Sequence, residues 1–244
     1  MTTPARGLLT GQRRLLLSPA WFVPYDDFRR RRTTTGFRVD LDRWDGARWV
    51  RTDVRPVVTP RGVVAYPGLG RRREPWTAEP ELYRAIFRAT GSRALYPADG
   101  EPFDAAKLGK EFLAYPYDDD HPPQLVAEPE PVRLLPDPTY EFPASTRVVH
   151  GLVRRAGSAA PIENALVEAA GVTGPDMQNW YERAFSGAGG AFRLPLRWAG
   201  RRTSPDDPVE SFTITATERP GHTGQVDIRL PGDLGTPHVI EISD

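Results

Sequence analysis

The sequence predicts an all-β chain made of two small β-sandwiches in tandem, joined by a Pro-rich extended connector. Three observations carry this. Short runs of alternating apolar and polar residues dominate, which is the pattern of half-buried strands. No apolar stripe of period 3.6 continues for a dozen residues without a breaker. The 26 prolines among 244 residues, about twice average usage, interrupt the chain every few positions. The segments divide as an N-terminal arm (1–20), a first sandwich (21–114), a Pro-rich acidic connector (115–144) and a second sandwich (145–244).

The arm carries Leu8, Leu9 and Leu15-Leu16-Leu17. Such an apolar arm either adds a strand to a neighbour's sheet or folds back on its own domain. Trp21, Phe22 and Tyr25 follow, suited to an interface core or to a strand tucked into the sandwich. In Phe37-Arg38-Val39-Asp40-Leu41-Asp42, the three apolar side chains point one way and the charged ones the other. Asp45-Gly46 then predicts a hairpin, because Gly tolerates the positive φ of a primed turn. A second turn falls at Pro60-Arg61-Gly62, with Val63-Val64-Ala65-Tyr66 resuming as strand. Tyr83-Arg84-Ala85-Ile86-Phe87-Arg88 alternates again, although Pro80-Glu81 would also suit the start of a short helix.

From Tyr115 to Pro143, prolines and acidic residues predict extended polyproline-like chain. Within it Val132-Arg133-Leu134-Leu135 reads as an edge strand, where proline neighbours are tolerated. The second sandwich is spelled by runs at Val148–Val153, Ala165–Ala169, Ala191–Leu196, Phe212–Ala216, Gln225–Leu230 and Val239–Ile242, with turn signals between them.

Charge and composition exclude several classes. Basic and acidic residues number 32 each, so the basic excess of a general nucleic-acid binder is missing. The charge is segregated, however. Residues 1–73 hold 16 Arg against 6 acidic residues, a net of +10, while residues 74–144 carry a net of −8. Opposite segments neutralise one another within the molecule or between neighbours packed head to tail. There is no cysteine, which removes disulfides, thiol nucleophiles and thiolate metal sites. No stretch approaches the roughly 18 apolar residues of a membrane helix, so membrane insertion is not predicted. Leu15-Leu16-Leu17 is much shorter than the roughly 7–15 apolar residues of a signal peptide. The expected location is the cytoplasm, or a particle assembled there.

Reactive constellations are not evident in the sequence. The histidines at 121, 150, 222 and 238 lack the spacing of a helical metal pair. Ser186 stands among glycines without a nucleophile elbow. Gly187, Gly189 and Gly190 bring no Lys and open no helix, so they do not make a phosphate loop. Neither a catalytic residue nor a cofactor is assigned. The sharpest surface features are Arg29, Arg30, Arg31, Arg32 and Arg71, Arg72, Arg73. These clusters suit bidentate pairing with carboxylates of a neighbouring subunit, or else form a solvated basic face. Trp180 and Tyr181, on what reads as a long loop, are the aromatic binding candidates.

The last 100 residues resemble the carboxypeptidase regulatory-like domain, a transthyretin-like sandwich. The residues that carry the likeness are Val149-His150-Gly151-Leu152-Val153, Pro161 before Ala165-Leu166-Val167, and Gly189-Gly190-Ala191-Phe192-Arg193-Leu194. Phe212-Thr213-Ile214-Thr215-Ala216 with Pro220-Gly221-His222 completes it. The family's Asp before the Gly-x-Phe turn is absent, and Gly174 to Glu182 is longer than usual. Thr59 to Leu69 resembles the turn–strand segment of prealbumin-like and collagen-adhesin B-type repeats, which implies two related sandwiches. The whole tandem, with Arg133-Leu134-Leu135-Pro136 and Tyr140-Glu141-Phe142-Pro143 before the second sandwich, is similar to accessory and cap proteins of phage-tail-like contractile injection systems. That resemblance implies a non-enzymatic structural adaptor whose partners are protein subunits, in a homo-oligomeric or ring-associated arrangement. The alternative is a carbohydrate- or ligand-binding module, with Trp180 and Tyr181 stacking on sugar rings.

Overall fold

The computed structural model describes residues 16–75, 78–90, 95–98, 109–123, 128–173, 178–204 and 206–243. The sequence's expectations for the stretch 1–15 lie outside these. The described residues are nearly all strand and loop, with no α-helix.

The first half contains β1 (Trp21–Asp26), β2 (Arg31–Arg32), β3 (Phe37–Trp44), β4 (Trp49–Arg51), β5 (Val57–Val58), β6 (Val64–Ala65), β7 (Glu81–Ala89), β8 (Leu95–Ala98), β9 (Lys110–Ala114) and β10 (Pro129–Pro136). One sheet runs β5-β6-β1-β10-β8, with β2 also on β1, and it faces a sheet of order β4-β3-β7-β9. The second half contains β11 (Val148–Arg155), β12 (Leu166–Thr173), β13 (Gln178–Phe185), β14 (Ala191–Pro195), β15 (Glu210–Arg219), β16 (His222–Leu230) and β17 (His238–Ile242). Its sheets run β14-β11-β17 and β13-β12-β15-β16.

The two halves share one connectivity. In each, the second long strand forms an antiparallel hairpin with a following edge strand, β3 with β4 and β12 with β13. The chain then crosses to pair antiparallel with the first strand, through β6 on β1 and β14 on β11. It returns to the second strand as β7 or β15, and turns again into β9 or β16. Finally the last strand lies parallel to the first: Trp21 is level with Pro129 in β1 and β10, and Gly151 with His238 in β11 and β17.

The cores differ in chemistry. The first is aromatic: Phe22 meets Phe87 edge-on with centroids 5.7 Å apart, and Tyr66 and Tyr83 both stack on Phe112. The second is mostly aliphatic, from Val149, Val153, Val167, Leu194, Ile214, Ile228, Ile240 and Ile242 around Phe192 and Phe212.

Tyr83–Arg88 is strand, in β7, as its alternation predicts. Several other expectations are corrected. The hairpin at Asp45-Gly46 is wider than a two-residue primed turn. Trp44 pairs with Trp49, and the intervening loop is held because the amides of Ala47 and Arg48 donate to Asp45 Oδ1. Trp180 and Tyr181 stand on strand β13, level with Gly171 and Ala170 of β12, and not on a loop.

The largest correction concerns residues 129–136, which composition placed in the connector and at most on an edge. They form β10, between β1 and β8, with Val132, Leu134 and Leu135 fully buried. The prolines are accommodated by the alternation of backbone direction along a strand. The Leu134 carbonyl accepts from Asp27 N, so the even-numbered residues of β10 point their backbone groups at β1. Pro129 and Pro131 therefore lack an N–H on the opposite side, where among the described residues pairing with β8 begins at Arg133. A proline costs a sheet nothing where no partner asks for its donor.

Candidate functional site

The site-forming side chains converge where the two sandwiches meet. Residues 137–147 do not hang free between them. Asp137 Oδ1 accepts from both Thr139 N and Thr139 Oγ1, turning the chain. Tyr140 then buries its ring in the first core and donates its hydroxyl to the buried Asp26 Oδ2 at 2.9 Å. Phe28, Tyr140 and Phe142 pack with centroids 4.9 to 5.6 Å apart.

Arginines of the second sandwich fasten this aromatic knot. Alternation along β14 turns Arg193 outward, and it donates to the Pro138 and Tyr140 carbonyls while lying 5.3 Å from the Phe142 ring centre. Arg197 lies 4.5 Å over Phe28, donates to the Phe28 carbonyl, and makes a two-pronged pair with Glu182 at 2.7 and 2.8 Å. Arg183 donates to Asp27 Oδ1 at 2.7 Å, with both side chains mostly buried. Arg133 stands 3.7 Å from the same oxygen. Beneath them Leu135 packs on Leu166 and Phe185. Ion pairs this sheltered are costly to break one-sidedly, since the survivor is left uncompensated.

Electrostatics follow from burial and pairing. Burial pushes the Glu182 carboxyl upward, against the pull of Arg197. Burial also raises Glu168, with Arg183 opposing. In the second sandwich burial alone would raise Glu210, yet Arg202, Arg147 and the Gly200 amide hold it down at about 2.

The sequence-predicted residues separate into two places. Arg29 to Arg31 reach the junction. Arg29 Nε is 3.9 Å from Asp26, and Arg30, in a left-handed conformation, donates to the Tyr181 carbonyl of β13 at 3.4 Å. Arg31 and Arg32 stand exposed on β2. The second cluster pairs within the first sandwich instead: Arg71 with Asp119 and Arg72 with Glu81, while Arg73 is exposed. Tyr181 is 49% exposed; the Trp180 side chain lies outside the described residues. Ser186 is buried as a structural staple, donating to the Ile162 carbonyl and accepting from Ala165 N. Sequence reasoning missed Asp27, Arg147, Arg183, Arg193, Arg197 and Glu182. The only signal was the outward phase of Arg193 on the predicted strand Ala191–Leu196.

Among the described residues, no group of three His, Asp or Glu is placed to hold a metal ion, and no helix is long and apolar enough to cross a membrane.

No protein-family model matches the chain, the carboxypeptidase regulatory-like one included, and no curated protein is similar to it in sequence. Among solved structures, a streptococcal ancillary pilin shares 14% identity at a TM-score of 0.28, over 96% of this chain and 63% of the pilin. A shaft pilin of Lactobacillus rhamnosus GG shares 10% identity at a TM-score of 0.24, over 94% of this chain and 96% of that one. The chain thus spans 63% of the length of the ancillary pilin.

Proposed function

We propose that this protein is a non-enzymatic structural adaptor in a multi-subunit protein assembly. The observation that carries the reading is the junction. Two sandwiches of one connectivity are fixed to each other by the Asp27–Arg183 ion pair, by Arg197 on the Phe28 ring and carbonyl, and by the Leu135–Leu166–Phe185 contact. A linker that is packed and ion-paired holds two partner-binding bodies at a set spacing and angle, which is what an adaptor requires. Described strand edges at β4, β5 and β14 and exposed apolar side chains such as Val57, Val58 and Val239 supply material for partners.

The particular assembly we propose is a phage-tail-like contractile injection particle, with the chain as a cap or accessory component, assembled in the cytoplasm. Its support is the sequence resemblance around Arg133–Pro136 and Tyr140–Pro143. Sedimentation of tagged protein from its source cells, followed by electron microscopy and mass spectrometry of the pellet, tests both levels. Co-sedimentation with sheath and tube proteins supports the particle. Recovery only as a free monomer removes the adaptor reading.

A further inference from the structure

A groove of about 770 Å³ opens where the two sandwiches meet. Its lining includes Phe28, Arg29 and Arg31 from the first half and Arg147, Leu196 and Arg197 from the second, and no carboxylate. Three of the four guanidiniums are set from behind by buried acids: Arg29 near Asp26, Arg147 on Glu210 and Arg197 on Glu182. Backbone carbonyls of Phe28, Leu196 and Trp198 take further donors of Arg197 and Arg147. The fourth, Arg31, is exposed on the two-residue strand β2. Ser145 and Thr146 add hydroxyls along the same wall.

We infer that this groove binds an extended acidic segment of a partner protein, its Asp or Glu carboxylates on Arg31 and Arg29. Charge complementarity selects the occupant. With Arg29, Arg147 and Arg197 each set against one acid, Arg31 leaves the wall a net positive charge that attracts carboxylates, and guanidinium forks match them bidentately. Because Arg147 and Arg197 are already committed, the free donors are too few for a small polyanion but suffice where an extended backbone adds area. The inference rests on the adaptor reading for the occupant being a protein, and it adds where that partner docks and what its segment is made of.

Fluorescence anisotropy with a labelled peptide of alternating Glu and Val tests it on the full chain. The wild type should bind this peptide and not its Lys–Val counterpart. R31E should weaken binding about tenfold, since reversal removes an attraction and adds a repulsion, each worth about threefold to fivefold at a partly exposed site. R31K should retain most of it, and R61E, on the turn after β5, should stay within about twofold of the wild type. Absence of binding, equal loss in R31E and R61E, or displacement by pyrophosphate as effective as by unlabelled peptide would each overturn the inference. Sedimentation keeps the two readings apart. If wild type and R31E both reach the particle, the groove assignment fails alone; if the wild type does not, the adaptor reading fails whatever the peptide does.

Discussion

In the first sandwich the last strand, β10, has a neighbour on each side, β1 and β8. In the second, among the described residues, the last strand β17 pairs with β11 alone. The difference arises in the hairpin before it. Between β15 and β16 the chain turns within a few residues, whereas between β7 and β9 it makes an excursion that brings β8 over to the far side of β10. The second sandwich protects its edge another way. Gly224 of β16 lies so close that an added Cβ would stand 2.1 Å from the Glu241 carbonyl of β17. One connectivity thus admits two solutions to an open edge, an inserted strand or a glycine that lets the opposing sheet close over the corner.

This contrast yields an ordered series of tests. Leu134→Ala, at a fully buried site inside the inserted-strand solution, should cost about 2–5 kcal/mol in chemical denaturation. Ile240→Ala on β17 should cost about the same if both last strands are equally integral. A loss well under 1 kcal/mol at either site would show that its strand is peripheral. Gly224→Ala should cost about 1–3 kcal/mol through overpacking, with its effect confined by hydrogen exchange to β16 and β17. Tyr140→Phe removes the buried donor to Asp26 and should cost about 1–3 kcal/mol, loosening the first sandwich and the junction but sparing β15 and β16.

Acid should distinguish the second sandwich from the junction. Glu210 is depressed in the fold, so its pairs stabilise fully above the unfolded value near 4.5, and that contribution fades as pH falls toward about 2. Glu182 is raised by burial, so its protonation does not oppose folding in the same window. Melting temperature between neutral pH and pH 2 should therefore fall less steeply in Glu210→Gln than in the wild type, and slightly more steeply in Glu182→Gln, which removes a carboxyl whose protonation favours the fold. The smallest effect is assigned to Arg30→Ala, within about 0.5 kcal/mol, because its bond to Tyr181 is long and exposed.

How far the fold could be read from sequence follows the same division. In the second sandwich, runs such as Val149 to Val153 and Phe212 to Ala216 alternate cleanly, because each strand has one face in the core. In the first, β1 carries Phe22, Val23 and Pro24 all buried, so no alternation marks it. Likewise β10 is hidden by prolines whose harmlessness depends on which side its neighbours occupy. The two arginine runs were visible, yet their destinations were not. Asp27 and Arg183 lie 156 residues apart, and no local pattern announces such a pair. Arg71 and Arg72 found acids that the segmental charge made available, but which acids became clear only from the parallel bridge between Arg71 and Tyr117.

The parallel pairing of first and last strands has a mechanical consequence. Tension drawn between the start of β1 and the end of β10 runs in opposite senses along two adjacent strands. The ladder between them is then loaded in shear, and its bonds must yield together instead of unzipping one by one. The second sandwich repeats the geometry with β11 and β17, and the ion-paired junction sits in series between them. Pulled end to end, this polypeptide would behave as two clamps on one cable.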